Sequence, residues 1–235
     1  MKKWLSTLTV SLIGFGLVAV PSASAKSPEA QPSLVALGDS ITFGYNLGIN
    51  NDHPSKEAFP YIIGQDEDFR VRDLGVPGWT SAQLLTALQT DPKFQEAVSH
   101  ADDITIDIGN NDLLQGLKAT GGNPLQMQGY IRQMLGNLDE ILTLVHNQSP
   151  HAKIVVYNIY NAFQTSDPLH HYSYQTLPAI NLAIAGVAQK HGVALADAYG
   201  TFGEDQAIYV RLGDIHPTVL GQDALAQIGE KALGN

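Results

Sequence analysis

Leu34-Val35-Ala36-Leu37-Gly38-Asp39-Ser40-Ile41-Thr42 decides how the chain is read. Its first four residues are apolar with no helical period, the mark of a strand buried on both faces. The run stops at Gly38, and an acid and a serine follow at once. In an open parallel sheet, ligands bind in the crevice beyond the carboxyl ends of the strands, so Ser40 is placed like a nucleophile. The same residues also suit a turn followed by a helix N-cap. Taken alone, the stretch does not choose between these readings.

Working outward, residues 43–56 are rich in Gly, Asn and Pro and read as an irregular loop over the carboxyl edge of the sheet. A short helix over 57–64 would hold Pro60 in its first turn. Residues 69–74 predict a second strand, less apolar and therefore nearer an edge. It ends in Gly75-Val76-Pro77-Gly78-Trp79-Thr80-Ser81, where Thr80 or Ser81 can cap a helix carrying Leu84, Leu85 and Leu88. Another short helix starts at Pro92. Residues 103–108 alternate strictly, which predicts a strand with one apolar face and Asp107 on its polar side. Gly109-Asn110-Asn111-Asp112 follows.

From Met127 the apolar residues recur at the 3.6 period as far as Val145, giving a long amphipathic helix closed by Pro150. Residues 153–159 form the fourth strand. Residues 161–175 read as a long polar loop containing Phe163, His170, His171, Tyr172 and Tyr174. A helix with Ile180, Ala183, Ile184 and Val187 ends at Gly192, and 193–197 make a fifth strand. The last segment is Gly213-Asp214-Ile215-His216-Pro217, with Pro217 suited to the first position of a final helix. Strand and helix alternate about five times, so the expected fold is α/β, with three α/β/α layers around a parallel sheet. Right-handed crossovers leave few topologies. The flavodoxin-like order 2-1-3-4-5 puts the first strand in the middle and Ser40 at the switch point.

Residues 1–25 carry the pattern of a secretory signal peptide. Lys2 and Lys3 are followed by a mostly apolar run over 8–20 and by Ala23-Ser24-Ala25, with cleavage expected before Lys26. That run falls short of the roughly 20 residues a membrane span needs. Residues 26–32 read as a flexible leader and 33–235 as a single domain with a sizeable core. The 235-residue chain has no cysteine, which excludes a disulfide, a thiolate metal site and a cysteine-anchored lipid. Its net charge of −10, more acidic still without the two leader lysines, argues against nucleic acid and anionic membranes as partners. A secreted monomer with no integral membrane association is expected.

Acyl transfer needs a hydroxyl nucleophile, a base, a group that orients the base, and donors for the oxyanion. Ser40 supplies the hydroxyl and His216 the natural base. Gly78 can offer a backbone N–H with no side chain in the way, and Asn111 a neutral side-chain NH₂. Gly38-Asp39-Ser40-Ile41, the glycine of Val76-Pro77-Gly78-Trp79, Gly109-Asn110-Asn111-Asp112 and His216-Pro217 resemble, in order, the four blocks of the SGNH/GDSL hydrolases. The resemblance spans Leu34 to the final helix. It implies an esterase or lipase with Ser40 as nucleophile, His216 as general base, and Ser40 N–H, Gly78 N–H and the Asn111 side chain as oxyanion hole. It implies no metal or organic cofactor.

An α/β-hydrolase elbow does not fit, because Gly38-Asp39-Ser40-Ile41-Thr42 lacks its second glycine. One departure concerns the orienting acid. The family usually has aspartate three residues before the histidine, where this chain has Gly213, and Asp214 lies two before. Asp214 is the expected orienting acid. The rival is a Ser40–His216 dyad held by a backbone carbonyl, with Asp214 only capping the helix.

Other residues have plainer readings. Asp39 and Asp112 suit local turns and caps, and Asp107 a structural position. Asn110 would replace Asn111 as donor if the strand ended one residue earlier. Trp79 suits either the border of an acyl pocket or helix packing, and His170-His171-Tyr172 either a cleft or a solvated loop. No histidine and carboxylate spacing reads as a metal site. The leading expectation is a secreted serine esterase for lipid-like or small esters, with the 43–56 loop and the aromatic segment after Tyr160 shaping substrate choice. A polysaccharide or cell-wall O-deacetylase with the same machinery is the alternative, and a non-catalytic sugar-binding domain a third class.

Overall fold

β1 (Ser33–Gly38) is buried along its whole length because it has a neighbour on each side and helices on each face. In the computed structural model, which describes residues 31–203 and 205–234, it pairs in parallel with β2 (Arg70–Gly75) and β3 (Asp103–Asp107). β4 (Lys153–Tyr157) and β5 (Ala194–Ala196) extend the sheet to the order β2-β1-β3-β4-β5, all parallel. This is the expected topology, with the half-exposed β2 at an edge. The expected signal peptide over 1–25 lies outside the described residues, as does the expected leader over 26–32 except for Gln31 and Pro32.

Alternate residues of β1 serve two cores. Val35 and Leu37 pack with α3 (Ser81–Thr90), α4 (Pro92–Ser99), α6 (Pro124–Gln148) and α7 (Pro168–His191). Leu34, with Phe59, Tyr157, Phe202 and Leu225, packs under α2 (Phe59–Asp66), α8 (Ala198–Phe202) and α10 (Val219–Leu233). Three more helices lie among the described residues: α1 (Ser40–Phe43), α5 (Asn110–Thr120) and α9 (Gln206–Tyr209).

Three expectations need correction. β3 does not have a solvated polar face: Asp103, Thr105 and Asp107 are as buried as Ile104 and Ile106, because the strand is central and covered on both sides. Residues 168–175 are helix, not loop. Asp167 accepts from Leu169 N–H at 2.8 Å and Pro168 opens α7, which then runs through Pro178 to His191. An interior proline removes one helical N–H bond without ending a helix that is packed along its length. The segment from Asn110 to Thr120, for which the sequence predicts no element, is also helical, with Leu113, Leu114 and Leu117 on it. Finally, Pro217 lies before α10 rather than at its first position. Thr218 is the N-cap, its Oγ1 accepting from Gly221 N–H at 3.0 Å, while Pro217 pairs with Val210 in an isolated antiparallel bridge.

Candidate active site

At the carboxyl end of β1, Gly38 leaves no room for a side chain: a Cβ there would overlap Thr42 Oγ1 and the Asp107 carbonyl. This close approach seats the first turn of α1 directly on the sheet. Asp39 caps that turn, its Oδ1 accepting from Ile41 N–H at 2.9 Å. Ser40 is therefore the first helical residue, only 8% exposed, at the mouth of a cavity.

His216 is held on both sides by main-chain bonds: Arg211 N–H donates to the His216 carbonyl at 3.0 Å, and Thr218 N–H to the Tyr209 carbonyl at 2.8 Å. The proline after it favours extended backbone at this position. His216 Nε2 lies 2.9 Å from Ser40 Oγ, and His216 Nδ1 lies 2.6 Å from Asp214 Oδ1. A carboxylate can only accept, so the proton sits on Nδ1, and Nε2 is left to accept from the serine hydroxyl. The Tyr45 ring packs against the imidazole, centroids 5.1 Å apart.

The shift of the acid by one position has a backbone reason. Gly213 takes the left-handed conformation (φ 72°) inside the turn closed by Asp214 N–H to the Arg211 carbonyl. A side chain there would be strained, and Asp214 is the residue that emerges facing the imidazole. Burial pushes the Asp214 carboxyl up, but hydrogen bonds from Asn46, His216 and Ile215 N–H outweigh it and hold the group below the usual carboxylate range. Asp214 meets the imidazole directly, as the acid of a triad would; the expected rival, a backbone carbonyl at Nδ1, is not what faces it.

Gly78 lies in the turn after β2 at φ 82°, with nothing within 4 Å of a Cβ position. Among the described residues, neither Gly78 N–H nor Ser40 N–H has a hydrogen-bond partner. Asn111, in the first turn of α5, donates from Nδ2 to Asp39 Oδ2 at 3.1 Å and to the Trp79 carbonyl at 2.9 Å. Asp112 does more than cap a local turn: it accepts from both the N–H and the hydroxyl of Ser81 across the site. Asn110 also borders the cavity, and its buried Nδ2 has no partner among the described residues.

The cavity, about 330 Å³, opens at Ser40. Leu113, Leu114 and Leu117 of α5, Met127 and Ile131 of α6, and Leu177 and Ile180 of α7 make its walls overwhelmingly apolar. Tyr160, Phe163 and Tyr172 contribute from the aromatic segment, but His170 and His171 do not line it. Neither does the 43–56 loop, contrary to expectation. Trp79 stacks on Phe94 at 5.5 Å and packs among helices rather than bordering the cavity. The leucines of α5 escape the sequence reading, although the spacing of Leu113 and Leu117 is the i, i+4 signal of a helix face.

Beneath the site, Asp39 is pushed up to about 7, by burial first and then by Asp112, against the opposing bonds from Ile41 and Asn111. Asp107 is raised well above the ordinary range by burial and by Asp39. Among the described residues no group of three or more His, Cys, Asp or Glu is placed to hold a metal ion, and no helix is long and apolar enough to cross a membrane.

The family model described as "GDSL-like Lipase/Acylhydrolase family" matches residues 36–224. Solved structures share the fold at low identity. A lipase from a goat rumen metagenome is 21% identical with a TM-score of 0.72, over 86% of this chain and 97% of its own. Phospholipase A1 from Streptomyces albidoflavus is 18% identical with a TM-score of 0.68, over 86% and 100%. A variant of an acetyl-xylooligosaccharide esterase from Geobacillus is 17% identical with a TM-score of 0.65, over 87% and 96%. No curated protein sequence matches the chain.

Proposed function

The chain belongs to the GDSL-like lipase/acylhydrolase family, and on that premise we propose that it is a secreted serine esterase that cleaves carboxylic esters through an acyl-enzyme on Ser40. The observation that carries this reading is the continuous line of hydrogen bonds Asp214–His216–Ser40 at the mouth of an apolar cavity. Ser40 Oγ attacks the ester carbonyl while His216 Nε2 takes its proton. Asp214 keeps the imidazole in the Nδ1–H tautomer and stabilises the imidazolium that forms. Ser40 N–H and Gly78 N–H receive the developing oxyanion. Asn111 joins them by exchanging its longer bond, that to Asp39, for the charged oxygen. The imidazolium returns its proton to the leaving alcohol, and water then hydrolyses the acyl-enzyme by the same route.

The cavity favours a lipid-like acyl group over acetyl. Each buried methylene contributes about 0.8 kcal/mol, a factor of roughly four in kcat/KM, whereas acetyl leaves most of the cavity unused. The test is hydrolysis of p-nitrophenyl acetate, butyrate and decanoate by the protein and by Ser40→Ala. Activity that rises with chain length and vanishes in the variant supports the proposal. Activity confined to acetate would select the polysaccharide O-deacetylase instead. A folded protein inert to every ester and to an organophosphonate would be a binding domain. Secretion rests on the leader pattern over 1–25, and Lys26 as the first residue of protein recovered outside the cell would support it.

A further inference from the structure

Residues 43–56 stand outside the cavity, yet one of them reaches the proposed machinery. Asn46 Nδ2 donates to Asp214 Oδ2 at 2.9 Å across 168 positions of sequence. Asn46 is one of two non-glycine residues with positive φ among those described, at 65°. Its backbone N–H donates to Asn51 Oδ1 at 2.8 Å, and Asn51 Nδ2 donates to Asn46 Oδ1 at 3.2 Å. That second bond fixes which way the amide points: its oxygen faces Asn51, so its NH₂ faces the carboxylate. The loop is anchored to the nucleophile's own turn by Tyr45 N–H to the Ser40 carbonyl at 2.9 Å.

On the reading of Ser40, His216 and Asp214 given above, we propose that Asn46 is a positioning residue that lets an Asp-x-His spacing orient the general base. With one residue between acid and base, Asp214 Oδ1 must serve both Ile215 N–H at 2.7 Å and His216 Nδ1 at 2.6 Å. Oδ2 is then turned away from the imidazole toward the 43–56 loop, and only a partner there stops the carboxylate rotating. Arg211 is a loose alternative, its Nε 3.7 Å from Oδ2 on a side chain 43% exposed. Asn46 is nearer, neutral and held by Asn51. Its bond is also the foremost of the hydrogen bonds that lower the Asp214 carboxyl against burial.

Asn46→Gly is the discriminating variant, because glycine keeps the left-handed backbone while removing the amide. Asn46→Asp keeps shape and backbone but sets one carboxylate against another. Both are measured on p-nitrophenyl butyrate in the natural chain and in an Asp214→Asn background, with melting curves alongside. Asn46→Gly is expected to lower kcat about tenfold with KM unchanged, Asn46→Asp further, and neither to matter once Asp214 is Asn. Asn51→Ala, which frees the amide without touching Asp214, should give a smaller loss of the same kind. An unchanged kcat, or the same loss in both backgrounds, overturns the proposal. Near-natural kcat in Asp214→Asn alone, or surviving activity in Ser40→Ala, would instead remove the reading on which it rests, and the single variants tell these failures apart.

Discussion

Ser81 gives both its backbone N–H (2.8 Å) and its hydroxyl (2.6 Å) to the two carboxylate oxygens of Asp112, 31 positions later in the chain. Asn137 of α6 donates in turn to the Ser81 hydroxyl at 2.9 Å. One buried carboxylate thereby sets the distance between the Gly78 turn, three residues before Ser81, and Asn111, one residue before Asp112. The two proposed oxyanion donors outside the nucleophile's own turn are registered by a pair that touches no substrate.

Asp112→Ala strands the Ser81 donors and should cost about 2–3 kcal/mol of stability, a fall of several degrees in melting temperature for a domain of this size. It should also lower kcat more than it changes KM, because donors that drift lose the transition state before they lose the substrate. Asp112→Asn, which keeps one acceptor, should do less of both. Loss of stability with full kcat per folded molecule would show that the pair is structural only.

Asn111→Ala should reduce kcat by about 10²–10³, the scale of one oxyanion donor, while phosphonate labelling of Ser40 still proceeds. Asn110→Ala provides the contrast. Its amide borders the cavity without a partner, yet it precedes the helical position that Asn111 occupies in front of Asp39. A larger loss at Asn110 than at Asn111 would exchange their roles.

The sheet was legible because its signal is local: unbroken apolar runs such as Leu34 to Leu37 and Ile154 to Tyr157 must be covered on both faces, and alternation with helices then leaves one topology of few. Three of the polar blocks were legible because each follows the end of a strand, and the fourth, His216-Pro217, because it completes their order in the resemblance. What the sequence hid is set by distance or by competing local signals. Asn46 has a partner 168 positions away, and nothing in Gly44-Tyr45-Asn46 announces it. The start of α7 is masked by its polar composition and by Pro178, and the face of β3 that carries Asp107 reads as polar because period two does not report what covers the second face.

The buried carboxylates fix the sign of a pH effect on stability. Asp39 and Asp73 are each pushed up to about 7, chiefly by burial, and Asp107 well above the usual range. Between about pH 4, where such groups titrate unfolded, and about pH 7 the native state therefore binds more protons than the unfolded chain. Stability must fall as pH rises through that window, so the melting temperature should be higher at pH 5.5 than at pH 8 at matched ionic strength. Asp73, whose Oδ2 is buried without a partner among the described residues, takes no part in the proposed chemistry. Asp73→Asn should shrink the difference, chiefly by raising the value at pH 8. A melting temperature that climbs from pH 5.5 to 8 would contradict the whole account.

Leu117 tests whether the cavity is what reads the acyl chain. It lies on the last full turn of α5, seven residues beyond the Asn110 that opens the helix beside Ser40, so it bounds the cavity away from the reacting atoms. Leu117→Trp adds bulk to the wall and should lower kcat/KM on decanoate at least tenfold while leaving acetate nearly untouched, since about two lost methylenes of burial suffice for that factor. Leu117→Ala should move the preference the other way, toward longer chains, with little change on butyrate. Opposite signs from one position are hard to obtain by general destabilisation, which would depress every substrate alike. If both variants scale acetate and decanoate equally, the acyl group lies elsewhere and the cavity does not select the substrate.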